Sequence, residues 1–68
     1  MQLEKNALGT KTGDKIYDNQ TKTIGIVVGE GIIGNYDKIY VNFDGTVKSI
    51  VPMNDAQIKG RYQKIIKE

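Results

Sequence analysis

The sequence predicts an all-β domain, a small and strongly bent barrel of five short strands with one helical turn before the last strand. Three observations lead there. Residues 39–43, IYVNF, alternate apolar and polar side chains at the two-residue period of a strand, with Ile39, Val41 and Phe43 on one face. Turn-forming clusters such as DNQTK and DG recur at short intervals, each too brief to hold more than a tight reversal. Pro52, which has no amide proton to give a central ladder, closes the fourth strand.

The elements follow in order. Residues 1–12 carry few apolar side chains and are expected to form a flexible N-terminal arm, leaving 13–68 as the barrel. Residues 14–18, DKIYD, make a first short strand that ends in DNQTK. The run TIGIVVG, residues 23–29, is β-branched and interrupted by Gly25, which implies a bulge or bend. GEGIIGNYD, residues 29–37, reads as a glycine-rich loop or a distorted strand end. KIYVNFD and TVKSIV then form a hairpin, and NDAQIK gives a helical turn capped by Asn54 and closed by Gly60. RYQKII, residues 61–66, supplies the last strand. The core expected from these assignments is Ile16, Ile24, Ile26, Val28, Ile39, Val41, Phe43, Val47, Val51, Ile58 and Ile65.

The hairpin holds a conflict. A two-residue Asp44-Gly45 turn sets Phe43 opposite Thr46 but Val41 opposite Lys48. A three-residue loop pairs Phe43 with Val47 and Ile39 with Val51, giving a better apolar face. It asks Thr46 to adopt a left-handed conformation at about 1–2 kcal/mol, against about 1.5–3 kcal/mol for one more buried valine. That comparison favours the three-residue loop.

Composition narrows the chemistry. The chain has 68 residues, no Cys and no His, and ten basic against eight acidic residues. Without thiolate or imidazole it lacks the usual metal ligands and the usual neutral-pH general base, so neither an enzyme nor a cofactor is expected. A net charge of +2 is too small to demand nucleic acid or a membrane surface. The polar start does not read as a signal peptide, and a cytoplasmic monomer is the default expectation. The abundance of Lys, Ile and Asn points to an AT-rich bacterial or phage genome.

Several motifs have a plain reading beside a functional one. Gly29, Gly31 and Gly34 match G-x-G-x-x-G, but a phosphate cradle needs a helix to follow, and NYDKIYVNF is strand-like. Asn19–Thr21 is a glycosylation sequon, but without a secretory signal the expected reading is a turn. Asp14, Asp18, Asp37 and Asp44 sit near strand ends, where aspartate serves turns. Lys59, Arg61, Lys64 and Lys67 are interleaved with Tyr62, a pattern suited to phosphate contact and base stacking, or to a lysine-guarded edge strand. Tyr17, Tyr36 and Tyr40 are the aromatic candidates for a protein-docking face.

The segments TGDKIYD, TIGIVVGEG and DKIYVNFDGTVKSIVPMNDAQIK together resemble the Tudor-like C-terminal domain of PcrA/UvrD-type helicases. The family pattern is carried by Gly13, Asp14 and Ile16, by Gly25–Val27, by Ile39–Phe43 and by Val47–Ile50. The likeness extends to KOW-type barrels of transcription elongation factors and covers residues 12 to 59. It implies an SH3-like barrel without catalytic activity that docks onto RNA polymerase, a helicase-type machine or nucleic acid. A phage or mobile-element regulator of a host protein is one form of that function.

The two roles of the basic strip separate by salt. Three or four phosphate contacts give a log–log slope of affinity against salt of roughly −2 to −4, and Tyr62→Ala costs about 1–3 kcal/mol if the ring stacks on a base. An edge guard leaves affinity indifferent to both. At a net charge of +2 the expected result of a salt titration with single-stranded DNA or RNA is weak binding.

Overall fold

A computed structural model describes residues 1–58 and 60–68. They form six strands and one helix in the order β1 (Gln2–Leu3), β2 (Lys15–Asp18), β3 (Thr23–Ile33), β4 (Tyr36–Phe43), β5 (Thr46–Ile50), α1 (Pro52–Ile58) and β6 (Tyr62–Lys67). All strand pairs are antiparallel, in one open sheet ordered β1-β6-β2-β3-β4-β5. The all-β class is as expected. The strand count is not, because residues 2–3 add a sixth strand. No helix among the described residues is long and apolar enough to cross a membrane.

The segment read as a loose arm is docked onto the sheet. Gln2 and Leu3 pair with Lys67 and Ile65. The Glu4 amide donates to the Lys64 carbonyl at 2.8 Å, and the Lys64 amide donates to the Asn6 carbonyl at 3.1 Å. Ala7 is buried in the main cluster. Few apolar groups are needed, because backbone pairing to β6 supplies the attachment. By the same pairing β6 is an interior strand, so its lysines do not guard an edge.

The inner face of the sheet carries the cluster of Ala7, Ile16, Val27, Ile39, Val41, Phe43 and Ile50, with Tyr62 packed against it. Ile65 is buried outside the cluster, opposite Leu3. Five expected core residues are therefore exposed instead: Ile24, Ile26, Val28, Val47 and Ile58, while Val51 is half-buried. For β3 the cause is steric. Gly25 lies opposite Ile16 on the inner face, and a Cβ there would stand 2.6 Å from Val41 Cγ1 and 2.7 Å from the Phe43 ring. Phe43 fills the space that an inward Ile24 or Ile26 would need. A one-residue choice of register then turns Ile24, Ile26 and Val28 outward.

A bulge follows, between Val27 and Gly29, rather than at Gly25. Beyond it β3 continues as strand to Ile33, so residues 29–33 follow the strand-end reading rather than the loop, and no helix follows to make a phosphate cradle. Gly29 and Gly31 instead leave a flat surface for β4. An added Cβ would lie 3.4 Å from the Tyr40 ring at Gly29 and 3.2 Å from the Lys38 stem at Gly31.

At the β4–β5 turn the two-residue loop wins. Phe43 pairs with Thr46, Val41 with Lys48 and Ile39 with Ile50. Asp44 and Gly45 both have positive φ, at 51° and 91°, the type I′ geometry that matches strand twist. The Gly45 amide donates to Asn42 Oδ1 at 2.7 Å. Lys48 is accommodated because its ammonium lies 5.7 Å from the Phe43 ring centroid, at the edge of the core. The Lys48 charge is not buried, and Thr46 is spared the left-handed conformation. Ile50 takes the inner position that Val51 was expected to fill.

The helix begins earlier than expected. Pro52 occupies its first turn, where a missing amide proton costs nothing, so Asn54 is not the cap. Gly60, at φ 60°, closes it by donating its amide to the Asp55 carbonyl at 2.7 Å.

Gly25→Ala tests the steric account. The added methyl must displace Val41 or Phe43, and the expected loss of stability is about 1–3 kcal/mol in urea denaturation. A neutral result would show that Phe43 does not set the register of β3.

Candidate docking site

The β3–β4 hairpin projects past the core. Its turn is Gly34-Asn35, with Gly34 at φ 61° and Ile33 paired with Tyr36, a two-residue connection that needs a glycine at its first position. Ile32, Ile33 and Tyr36 are all exposed near this end, Ile32 at 72%. Glu30 ties the hairpin back to the N-terminal segment, its carboxylate accepting from the Thr12 amide at 3.2 Å and the Thr12 hydroxyl at 2.9 Å. Those two bonds hold its carboxyl below the usual range.

Between hairpin, N-terminal segment and helix lies a cleft of about 550 Å³, lined by residues 8–11, 30–32, 35–39, 52 and 53. Its apolar lining includes Leu8, Ile32, Tyr36 and Met53, all exposed. Lys11, Asp37 and Lys38 stand among them. The cleft therefore offers apolar contact beside charges of both signs, a composition suited to an extended peptide.

The three tyrosines do not converge. Tyr36 lines this cleft. Tyr17 lies on the opposite, outer face of the sheet, across from Ile24 on β3 and Gln63 on β6. Tyr40 shares that outer face, lying over Gly29 and Gly31 with the Lys38 ammonium 5.0 Å from its ring centroid. Leu8, Ile32 and Met53 were not anticipated. Only their exposure in the fold distinguishes them from core aliphatics.

The basic strip is largely committed to structure. Arg61 Nε and Nη2 each donate at 2.8 Å to the two oxygens of Asp18, and Asp18 is 1% exposed. Asp18 Oδ1 also accepts from the Gln20 and Thr21 amides. Lys64 lies 3.6 Å from Asp14 Oδ2. Tyr62 is half-buried against Phe43, ring centroids 6.0 Å apart, and burial pushes its phenol up. Lys67 is exposed at the end of β6, and Lys59 lies outside the described residues. Asn19 of the sequon is equally engaged, its side-chain amide donating to the Gly60 carbonyl at 2.9 Å and to Gln63 Oε1 at 3.1 Å.

No group of three or more His, Cys, Asp or Glu able to hold a metal occurs among the described residues. No family model, curated protein or solved structure matches the chain.

The Asp18–Arg61 pair has a pH signature. The Arg61 guanidinium holds the Asp18 carboxyl at about 2, against an ordinary value of 3.8. A depressed carboxyl contributes stability that is complete above its unfolded value and is lost as pH falls through its folded one. The contribution is about 2 kcal/mol, fading as the pH drops from 3.8 through about 2. In urea titrations across this range, the stability gap between wild type and Asp18→Asn is expected to close with acidification. A gap independent of pH would overturn this.

Proposed function

We propose that this chain is a non-catalytic docking module that binds an extended segment of a protein of the transcription or DNA-repair machinery. Its place of action is the cytoplasm. The single observation carrying the reading is the cleft beside the β3–β4 hairpin, where exposed Ile32, Tyr36, Leu8 and Met53 surround space for several side chains. Exposed apolar groups at the rim of a polar cleft are the usual anchors of peptide recognition.

An SH3-like barrel is the fold this reading adopts. Support comes from the β2–β3–β4–β5 meander, the short helix after it, and the return of β6 to pair with β2 around one cluster. The resemblance to helicase and elongation-factor barrels favours RNA polymerase or a helicase-type machine as the partner. A phage or mobile-element regulator would use the same cleft. Protein is favoured over nucleic acid because Asp18 and Asp14 already neutralise Arg61 and Lys64.

The immobilised protein is expected to retain RNA polymerase or a transcription-repair helicase from bacterial lysate, identified by mass spectrometry. Ile32→Asp and Tyr36→Ala, both at exposed positions, should each weaken that retention about tenfold or more without shifting the thermal midpoint. Retention of neither machine, or retention that survives both substitutions, would refute the proposal.

A further inference from the structure

The outer face of the sheet carries a group of exposed aliphatic side chains that none of the described residues covers. Ile24, Ile26 and Val28 run along β3 with exposures of 44%, 49% and 50%, and Val47 on β5 is 55% exposed. Across the strands Lys15, Ile26, Asn42 and Val47 form one continuous row, with Tyr17 opposite Ile24 in the next. The one charge in that row, Lys15, is paired with Glu68 at 2.9 Å. A chain that is 26% charged has left the middle of this face with no unpaired charge.

We propose that this face is the interface of a homodimer, two copies packing sheet on sheet through β3. Three features select a second copy over a foreign partner. The row is self-complementary, since its one charge is already paired with Glu68 and its two aliphatic positions meet their own copies without like-charge repulsion. The size is right: a stable interface takes about 800 Å² from each partner, less than a fifth of the 4459 Å² surface. That is the scale of one broad side of a molecule with extents 32 × 25 × 19 Å.

The third feature is the shortage of core. Eight apolar residues are buried among the described residues, against twelve large apolar residues that are exposed. Chains of this length can fold alone but on a small margin, which disulfides, metals or association commonly widen. With neither cysteine nor histidine in the sequence, association is the device that uses what the chain has. The dimer departs from the monomer expected by default, and it uses Ile24, Ile26 and Val28, which the sequence reading had placed inside. It leaves the hairpin cleft on the other face open.

Sedimentation equilibrium of the full chain tests this. The expected mass is twice 7.6 kDa at sub-millimolar concentration, with a thermal midpoint that rises with protein concentration. Ile26→Asp should raise the dissociation constant at least about tenfold, since both copies carry the change, while circular dichroism shows the fold retained. Val28→Asp supplies the same test should Ile26→Asp fail to fold. Ile32→Asp, at the hairpin cleft, should leave association unchanged, which separates this proposal from the docking function. A 7.6 kDa species throughout the concentration range, or a dimer indifferent to both β3 substitutions, would overturn it.

Discussion

The fold is held in register by one buried ion pair. Asp18 ends β2 and Arg61 precedes β6, and their two-point contact fixes where the last strand enters the sheet. The same carboxylate organises the β2–β3 turn through the Gln20 and Thr21 amides. Asp55 does the complementary work from the helix, accepting from the Arg61 and Tyr62 amides at 3.2 Å and 3.0 Å. Between them the two aspartates locate β6. β6 in turn carries β1, and with β1 comes Ala7 in the cluster and the Leu8–Lys11 wall of the cleft. A bidentate guanidinium–carboxylate pair suits this task because its geometry is narrow.

What local sequence encodes strongly was legible. The alternation over β4 places Ile39, Val41 and Phe43 inward as the period demands, and Pro52 does mark the end of β5. What depends on distant partners was not. No spacing connects Asp18 to Arg61, 43 positions away, so Arg61 reads as a free cation until the fold is known. The face of β3 was misjudged because propensity favours burying isoleucine over glycine, whereas volume decides: the Phe43 ring needs the missing side chain of Gly25. The hairpin register was misjudged because a lysine opposite a valine was taken as a mixed face, and its stem can lie across an aromatic. Of the docking tyrosines only Tyr36 reaches the cleft, since alternate residues of β4 share a face but the projecting hairpin carries its end away from the rest.

The two faces of the sheet therefore differ in kind. The inner face is a small cluster continued by a cleft at the hairpin, with charged groups of both signs around apolar anchors. The outer face carries the exposed aliphatics of β3 and β5 with Lys15 and Asn42 among them, and the charge in that row is paired. Glycines make the difference possible. Gly25 admits Phe43 on one side, while Gly29 and Gly31 let Tyr40 and Lys38 lie flat on the other and keep the projecting hairpin thin.

The interior position of β6 also orders events in time. The meander from β3 to β5 closes through two-residue turns between neighbours in sequence, and such contacts form early and cheaply. The pairing of Gln2 with Lys67 and of Asp18 with Tyr62 spans most of the chain. On the ribosome β1 must wait wholly unpaired, and β2 with one edge unsatisfied, until Tyr62–Lys67 has emerged. The rate at which this small protein becomes itself is accordingly set by its longest loop rather than by its hairpins.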